Sequence, residues 1–194
     1  MAKAQACDII IDMKPLFGHC GIVTGNFGST TDAGRAGTVP PGHEVIHAVK
    51  TGVVEGSWQN GRAFCFRSNT LTRAKAETIQ KAAGEIKEAA QYGAGRAIFK
   101  SWSGSSSFGK GALERLKKYQ TRMENHQGVL KNVYCSELVV VAYQLGLALN
   151  QQDTSWIPLD GKHTLPSTLK TWLTGHAASW TLVGMVTDST LELS

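Results

Sequence analysis

The chain changes texture at Asn69, and that change limits what it can fold into. Before it, short β-prone runs alternate with turn residues. After it, apolar residues return at helical spacing. Cys7–Asp12, with Ile9, Ile10 and Ile11 at its centre, reads as a short buried strand. His19–Thr24 (ending at Gly25), His43–Val49, Val53–Gly56 after a Thr51–Gly52 turn, and Arg62–Arg67 read as further strands. Pro15–Gly18 reads as a turn, and residues 26–42, rich in Gly, Ser, Thr and Pro, as a long exposed loop. Leu71–Gln91 places Ile79, Ala83 and Ile86 on one helical face, with Asn69 or Thr70 as the cap. A Gly/Ser-rich connection around Trp102 leads to a helix over Lys110–Asn125 with Leu113, Leu116 and Tyr119 together. Tyr134–Leu149 is the most apolar helix, with Leu138, Val141, Ala142 and Leu145 as its core stripe. Pro166–Thr174 reads as a short helix with Pro166 in its first turn, and Trp180–Val186 as a last strand. Strands, then helices, then a strand make an α+β fold. A chain of 194 residues has the length for one such domain spanning 1–194.

Composition excludes several classes. Hydrophobic residues make up 42% and charged residues 18%, which is not the balance of a disordered or fibrous chain. The net charge of +5 favours anionic surfaces such as phospholipid head groups or cell-wall polymers. It comes without the dense basic stripe or motif of a nucleic-acid binder, so no nucleic-acid partner is expected. No stretch approaches the roughly 18 apolar residues of a membrane span. Ile9–Ile11, the apolar block nearest the N-terminus, is too short for a signal-peptide core. Cytoplasmic synthesis is therefore expected, with any export by a signal-independent route. The four cysteines, Cys7, Cys20, Cys65 and Cys135, lack zinc-site spacing and are expected as free thiols.

Cys135 opens the most apolar helix. Unpaired backbone N–H groups and the positive end of the helix dipole stabilise a thiolate there, and the same groups suit a developing oxyanion. Such a thiolate needs an imidazole to pair with. His19 and His47 each lie in a β-prone run. Period 2 puts His19 on a face with Gly21 and Val23, and His47 with Val45 and Val49. On neighbouring strands one imidazole would orient the other. Glu44, three residues before His47, is an alternative orienter on the opposite face. Taken singly, each residue has a plainer reading: a small buried hydrophobe for Cys135, structural histidines for the other two. Cys20 should point away from His19 into the core, and Cys65, alternating with Phe64 and Phe66, should pack beneath a sheet. His43, His126, His163 and His176 fit surface roles, Glu137 suits the first turn of its helix, and Lys110, Arg115, Lys117, Lys118 and Arg122 read as a solvated face.

Three segments taken together narrow the choice: Cys7-Asp-Ile-Ile-Ile11, Gly18-His-Cys-Gly-Ile-Val-Thr-Gly25 and Val45-Ile-His-Ala-Val49, followed far downstream by Tyr134-Cys-Ser-Glu-Leu-Val139 and Ala142-Tyr143. The series resembles the circularly permuted branch of the NlpC-type papain-like cysteine peptidases, the YiiX-like and lecithin:retinol-acyltransferase-like hydrolases, in which the histidine strands precede the cysteine helix. The helical middle matches in texture alone. The resemblance implies a papain-like fold, an antiparallel sheet packed against the cysteine-bearing helix. It places Cys135 as nucleophile, His19 as general base and acid, and His47 as the polar third member, a position that permuted relatives often fill with Glu. Tyr134 is expected to line the site or donate a hydrogen bond. The resemblance implies an acyl-enzyme mechanism with no metal or organic cofactor. It implies amide bonds of peptidoglycan stem peptides as substrate, with lipid esters or amides next, and a catalytically silent binding module as the non-enzymatic alternative. An injected antibacterial toxin, with an immunity or inhibitor protein as partner, fits the expected route.

Overall fold

The computed structural model describes residues 3–12, 14, 18–27, 42–49, 51–92, 104–124, 130–187 and 191–194. Most of the expected loop over 26–42, the Trp102 segment and His126 lie outside them. In chain order the elements are β1 (Ile9–Asp12), β2 (Cys20–Gly25), β3 (Gly42–Val49), β4 (Gly52–Gly56), β5 (Ala63–Ser68), α1 (Arg73–Ala89), β6 (Ala90–Tyr92), α2 (Lys110–Glu124), β7 (Leu130–Val133), α3 (Cys135–Gly146), α4 (Pro166–Gly175) and β8 (Trp180–Val186). A 3-10 turn at Gly161–His163 lies between α3 and α4. The α+β reading holds: the described residues form a six-stranded sheet in the order β4-β3-β2-β1-β5-β8, every neighbouring pair antiparallel, with four α-helices. Among those residues no helix is long and apolar enough to cross a membrane.

Alternation along the strands sorts the core into two layers. Ile9 and Ile11 of β1, Cys20 and Ile22 of β2, Ile46 and Ala48 of β3 and Phe66 of β5 face α1 and α3, with Ile79, Ala83, Leu138, Val139 and Tyr143 packed on them. Ile10, Val23, Val45, Ala63 and Cys65 face the other way, onto Trp58, Val186 and Leu191. The register makes this coherent, because Ile9 lies opposite both Ile22 and Phe66, and Ile10 opposite Gly21 and Cys65.

The expected core stripe on α3 proves too narrow. Residues 135–144 are buried on every side of the helix, and Leu145, assigned to the stripe, is only half-buried. A helix apolar all round is enclosed on all sides. Its few polar groups are satisfied by neighbours: Ser136 Oγ donates to Thr164 O at 2.6 Å, and Gln144 Nε2 donates to Ile157 O and Leu159 O at 2.9 and 2.8 Å.

Two local expectations change. Thr72, not Asn69 or Thr70, caps α1, accepting from Lys75 N–H. Thr70 instead pairs with the Thr154 hydroxyl, and Asn69 donates to Ala177 O and Ala178 O. The helix also ends at Ala89, and Ala90–Tyr92 turn extended to pair in parallel with Leu130–Val133. That short pair has no sequence signal of its own.

Backbones of α1 and α3 touch where α3 ends. A Cβ on Gly146 would lie 2.4 Å from Ile79 Cα and 2.7 Å from Ile79 N. No side-chain rotation relieves contact with backbone, so the helices must part. Gly146→Ala should destabilise the protein by about 2–3 kcal/mol, seen in thermal unfolding as a fall in Tm of roughly 5–10 °C for a chain of this size. An unchanged Tm would mean that the two helices are not in backbone contact.

Candidate active site

The site forms where the first turn of α3 meets the start of β2. Tyr134 is the N-cap of α3, extended at φ −111° and ψ 173° and without a side-chain cap. The first intrahelical bond is Leu138 N–H to Tyr134 O. The N–H groups of residues 135–137 therefore have no acceptor within the helix. Glu137, at the third helical position, reaches back to the Tyr134 backbone N–H, one half of a capping box. The Tyr134 hydroxyl donates to Gly161 O at 2.7 Å, buried. It is thus a hydrogen-bond donor, and the bond fixes the helix start against the 3-10 turn.

His19 and His47 meet across β2 and β3. Gly21 lies opposite His47 in the ladder. A Cβ on Gly21 would stand 2.5 Å from Val45 Cγ1, 2.9 Å from Ile46 O and 3.0 Å from His47 Cβ, so only glycine lets β3 approach this closely. His19 Nε2 and His47 Nδ1 are 2.7 Å apart. His47 is buried, and desolvation, followed by the charge of His19, lowers its pKa to about 4. At neutral pH it is an uncharged ring that shares one proton with His19 between its Nδ1 and His19 Nε2. That leaves His19 Nδ1 as the ring nitrogen free to face the sulfur.

Trp58, in the segment after β4, went unnoticed in the sequence. It is fully buried, stacks on His19 at 5.5 Å and 22°, and leans on His47 at 5.9 Å. Its Nε1–H donates to Gly61 O at 2.8 Å, which holds the indole in place. A tryptophan in a loop carries no periodicity to mark it. Glu44, the alternative orienter, is exposed and lies opposite Thr24, so His47 holds the orienting position.

Cys135 is 9% exposed. Its thiol donates to Gly18 O at 3.9 Å, which sets the sulfur against the segment that carries His19 and Cys20. The neighbouring Cys20 thiol leads in holding the Cys135 thiol below its usual pKa. Burial opposes it, and the hydrogen bond and charge of His19 add to the lowering. Cys20 moves the opposite way, pushed far up by burial, by Cys135 and by the charge of Asp12. A cysteine at a helix start with open N–H groups, beside a segment carrying a paired imidazole, has the groups that nucleophilic acyl transfer requires.

The remaining expectations divide. Cys7 and Cys65 are buried, and burial raises both thiols. His163 is not a surface group: its side chain is 14% exposed, beneath Gly104 and 3.9 Å from Asp160. His176 is exposed and stacks on Trp172. The side chain of His43 is outside the described set. On α2, Lys110, Lys117, Lys118 and Arg122 are exposed, whereas Arg115 turns inward to Asp160. No family model matches the chain, and no curated protein or solved structure is significantly similar to it.

Glu137 departs from simple dipole reasoning. It is buried, and desolvation lifts its pKa to about 7, with the Asp160 charge adding to the rise. The Tyr119 hydroxyl, donating at 2.9 Å, the Tyr134 N–H and the Arg115 charge pull less strongly the other way. The folded state thus holds a proton that the unfolded chain loses near 4.5. Stability tied to that proton is complete below about pH 4.5 and declines until it is lost above about pH 7, a difference on the order of 3 kcal/mol. Glu137→Gln, isosteric with the protonated form, should match the wild type near pH 4.5 and exceed its Tm increasingly up to pH 8. Parallel Tm–pH curves for the two proteins would show that Glu137 is ionised in the fold.

Proposed function

We propose that this protein is a thiol hydrolase with a permuted papain-like architecture. The observation that carries the reading is the meeting of the open N-terminal turn of α3 with the histidine segment: Cys135 Sγ is 3.9 Å from Gly18 O, next to His19, whose ring is held by His47 at 2.7 Å. The motif order, histidine strands before the cysteine helix, and the packing of that helix on an antiparallel sheet support the architecture.

The chemistry follows from the contacts. The Cys135 thiolate attacks an acyl carbon, and the carbonyl electron pair moves onto oxygen. The N–H groups of residues 135–137 lie where that oxyanion is stabilised. His19 delivers its Nδ1 proton to the departing amine or alcohol as the carbonyl reforms, leaving a thioester. His19 then takes a proton from water, the hydroxide adds to the thioester, and the acid leaves with the thiolate restored. His47 keeps the His19 Nε2 proton in place throughout, so Nδ1 does the transfers. For the substrate we propose amide bonds of peptidoglycan stem peptides, on the strength of the motif resemblance and a net charge of +5 suited to anionic wall polymers.

Cys135→Ala should reduce hydrolysis of muropeptides by about three orders of magnitude or more while leaving Tm nearly unchanged. In the wild type, iodoacetamide should label Cys135 below pH 7 much faster than it labels a model thiol of pKa about 8.5. Labelling at the model-thiol rate, or full turnover by Cys135→Ala, would end the hydrolase reading. Fatty acid released from phospholipid vesicles, without cleavage of stem peptides, would overturn the substrate assignment.

A further inference from the structure

The two amphipathic helices α1 and α2 carry their charges differently. On α1 every cation has an acid: Arg73 pairs with Glu77 at 2.9 Å, Lys75 with Asp153 at 2.7 Å, Lys81 with Glu85 at 3.8 Å and Lys87 with Glu55 at 2.8 Å. On α2 Arg115 is paired, with Asp160. Lys110, Lys117, Lys118 and Arg122 are exposed, and among the described residues they make no ion pair. Even Glu114, one turn before Lys118, makes none with it. Helical spacing gathers these four cations on one half of α2, with Ala112, Leu116 and Tyr119 on the other. Ala112 and Leu116 are buried, and Tyr119 donates to Glu137 at 2.9 Å. The inward half is therefore tied down, and the cationic half faces out. Glu137 is two residues after Cys135, so one end of the cationic row lies beside the first turn of α3.

We infer that the outer face of α2 is a docking surface for a linear, carboxylate-bearing polyanion: the polymeric form of the wall peptide whose amide bonds the site cleaves. The identity of that partner rests on the thiol-hydrolase reading above. A helix that is merely solvated balances its cations with acids at helical spacing, as α1 does. The four cations of α2 form an unbalanced row over about 18 Å of helix, at about 1.5 Å per residue. A chain of carboxylates laid along the row meets all of them at once. A bilayer fits less well, because a helix that lies in a membrane surface sets Trp, Phe or Leu next to its cations. Gly111, Glu114 and Thr121 stand between the cations of α2, and the large apolar side chain that is exposed, Leu182, is on β8. Nor does this face carry the aromatic rings on which nucleic-acid bases stack.

The full chain carrying Cys135→Ala reads binding without turnover. Its affinity for fluorescently labelled poly-L-glutamate, followed by anisotropy, should fall by about tenfold or more when Lys117→Gln, Lys118→Gln and Arg122→Gln are added together. Lys75→Gln, Lys81→Gln and Lys87→Gln on α1 remove the same net charge and should change it by about twofold or less, because those lysines are already paired. In the active protein, the α2 variant should raise KM for insoluble peptidoglycan about tenfold and keep kcat/KM for a short soluble muropeptide within about twofold of the wild type. All six substitutions are on helix surfaces, and unchanged circular dichroism confirms folding. A wild type that hydrolyses neither substrate overturns the hydrolase reading and with it the wall polymer as partner. Three results overturn the docking inference alone: no binding of poly-L-glutamate, equal loss in the α1 and α2 variants, or tighter binding of the α2 face to phosphatidylglycerol vesicles or a single-stranded oligonucleotide.

Discussion

A β-strand shows successive side chains to opposite faces, so a helix packed on one face meets every second residue. The site depends on escaping that restriction. Its strand-borne groups sit at the start of β2, where His19 still precedes the ladder and Cys20 is its first member. There the first turn of α3 brings one sulfur within 3.9 Å of Gly18 O, at the strand's entry and next to His19. Shift Cys135 one turn further into its helix and it would face a continuous ladder, with only the helix-side residues of β2 accessible. Imidazole, thiol and open N–H groups come together because a helix start and a strand start coincide.

That coincidence requires α3 to be fixed along its length as well as across it. Apolar packing alone resists sliding poorly, because one aliphatic contact replaces another. The polar groups of α3 supply the stops. Tyr134 is tied to Gly161, Ser136 to Thr164, Tyr143 to Cys7 and Gln144 to Ile157 and Leu159. Each is a buried bond that a slide of one residue would leave unmade, at about 1–3 kcal/mol per orphaned group. Gly146 then lets α1 close on the helix end at backbone distance. The indole of Trp58 performs the matching task for the two imidazoles on the other face.

Elements with strong periodicity were legible. Trp180–Val186 is a strand over the limits its sequence indicates, and Pro166 opens its helix as a proline at the first helical position should. The proximity of His19 and His47 was readable because strand period and the gap at Gly21 are both local properties. What escaped was non-local or unpatterned. Trp58 lies in a loop, and the β6–β7 pair joins segments too short to carry alternation. Thr72 takes the cap position because Thr70 and Asn69 are engaged by partners about 80 to 110 residues away, which no window along the chain contains. The alternation that sends Cys20 away from His19 was readable too. That it sends Cys20 toward Cys135 depends on which face α3 covers, and only the assembled sheet decides that.

The four cysteines provide an internal control on what activates a thiol in this protein. All four are buried, and burial alone penalises the anion. Cys7 and Cys65 follow that rule: with a carbonyl or a carboxylate as partner and Asp8 nearby, both are pushed up. Cys20, beside Asp12, is pushed up as well. Cys135 alone moves down, against the same desolvation, and it differs from the others in its partners rather than its depth. Cys7, by contrast, donates to the Ala76 carbonyl and Cys65 to the Asp8 carboxylate. Cys135 has a carbonyl partner too, Gly18 O at 3.9 Å, but it alone also has the first turn of a helix and the His19–Cys20 segment beside it. Low surroundings polarity strengthens whichever hydrogen bonds exist, so burial amplifies the sign that the partners set. In this fold the sulfur set apart from the other three is thus the one placed where a helix start meets a strand start.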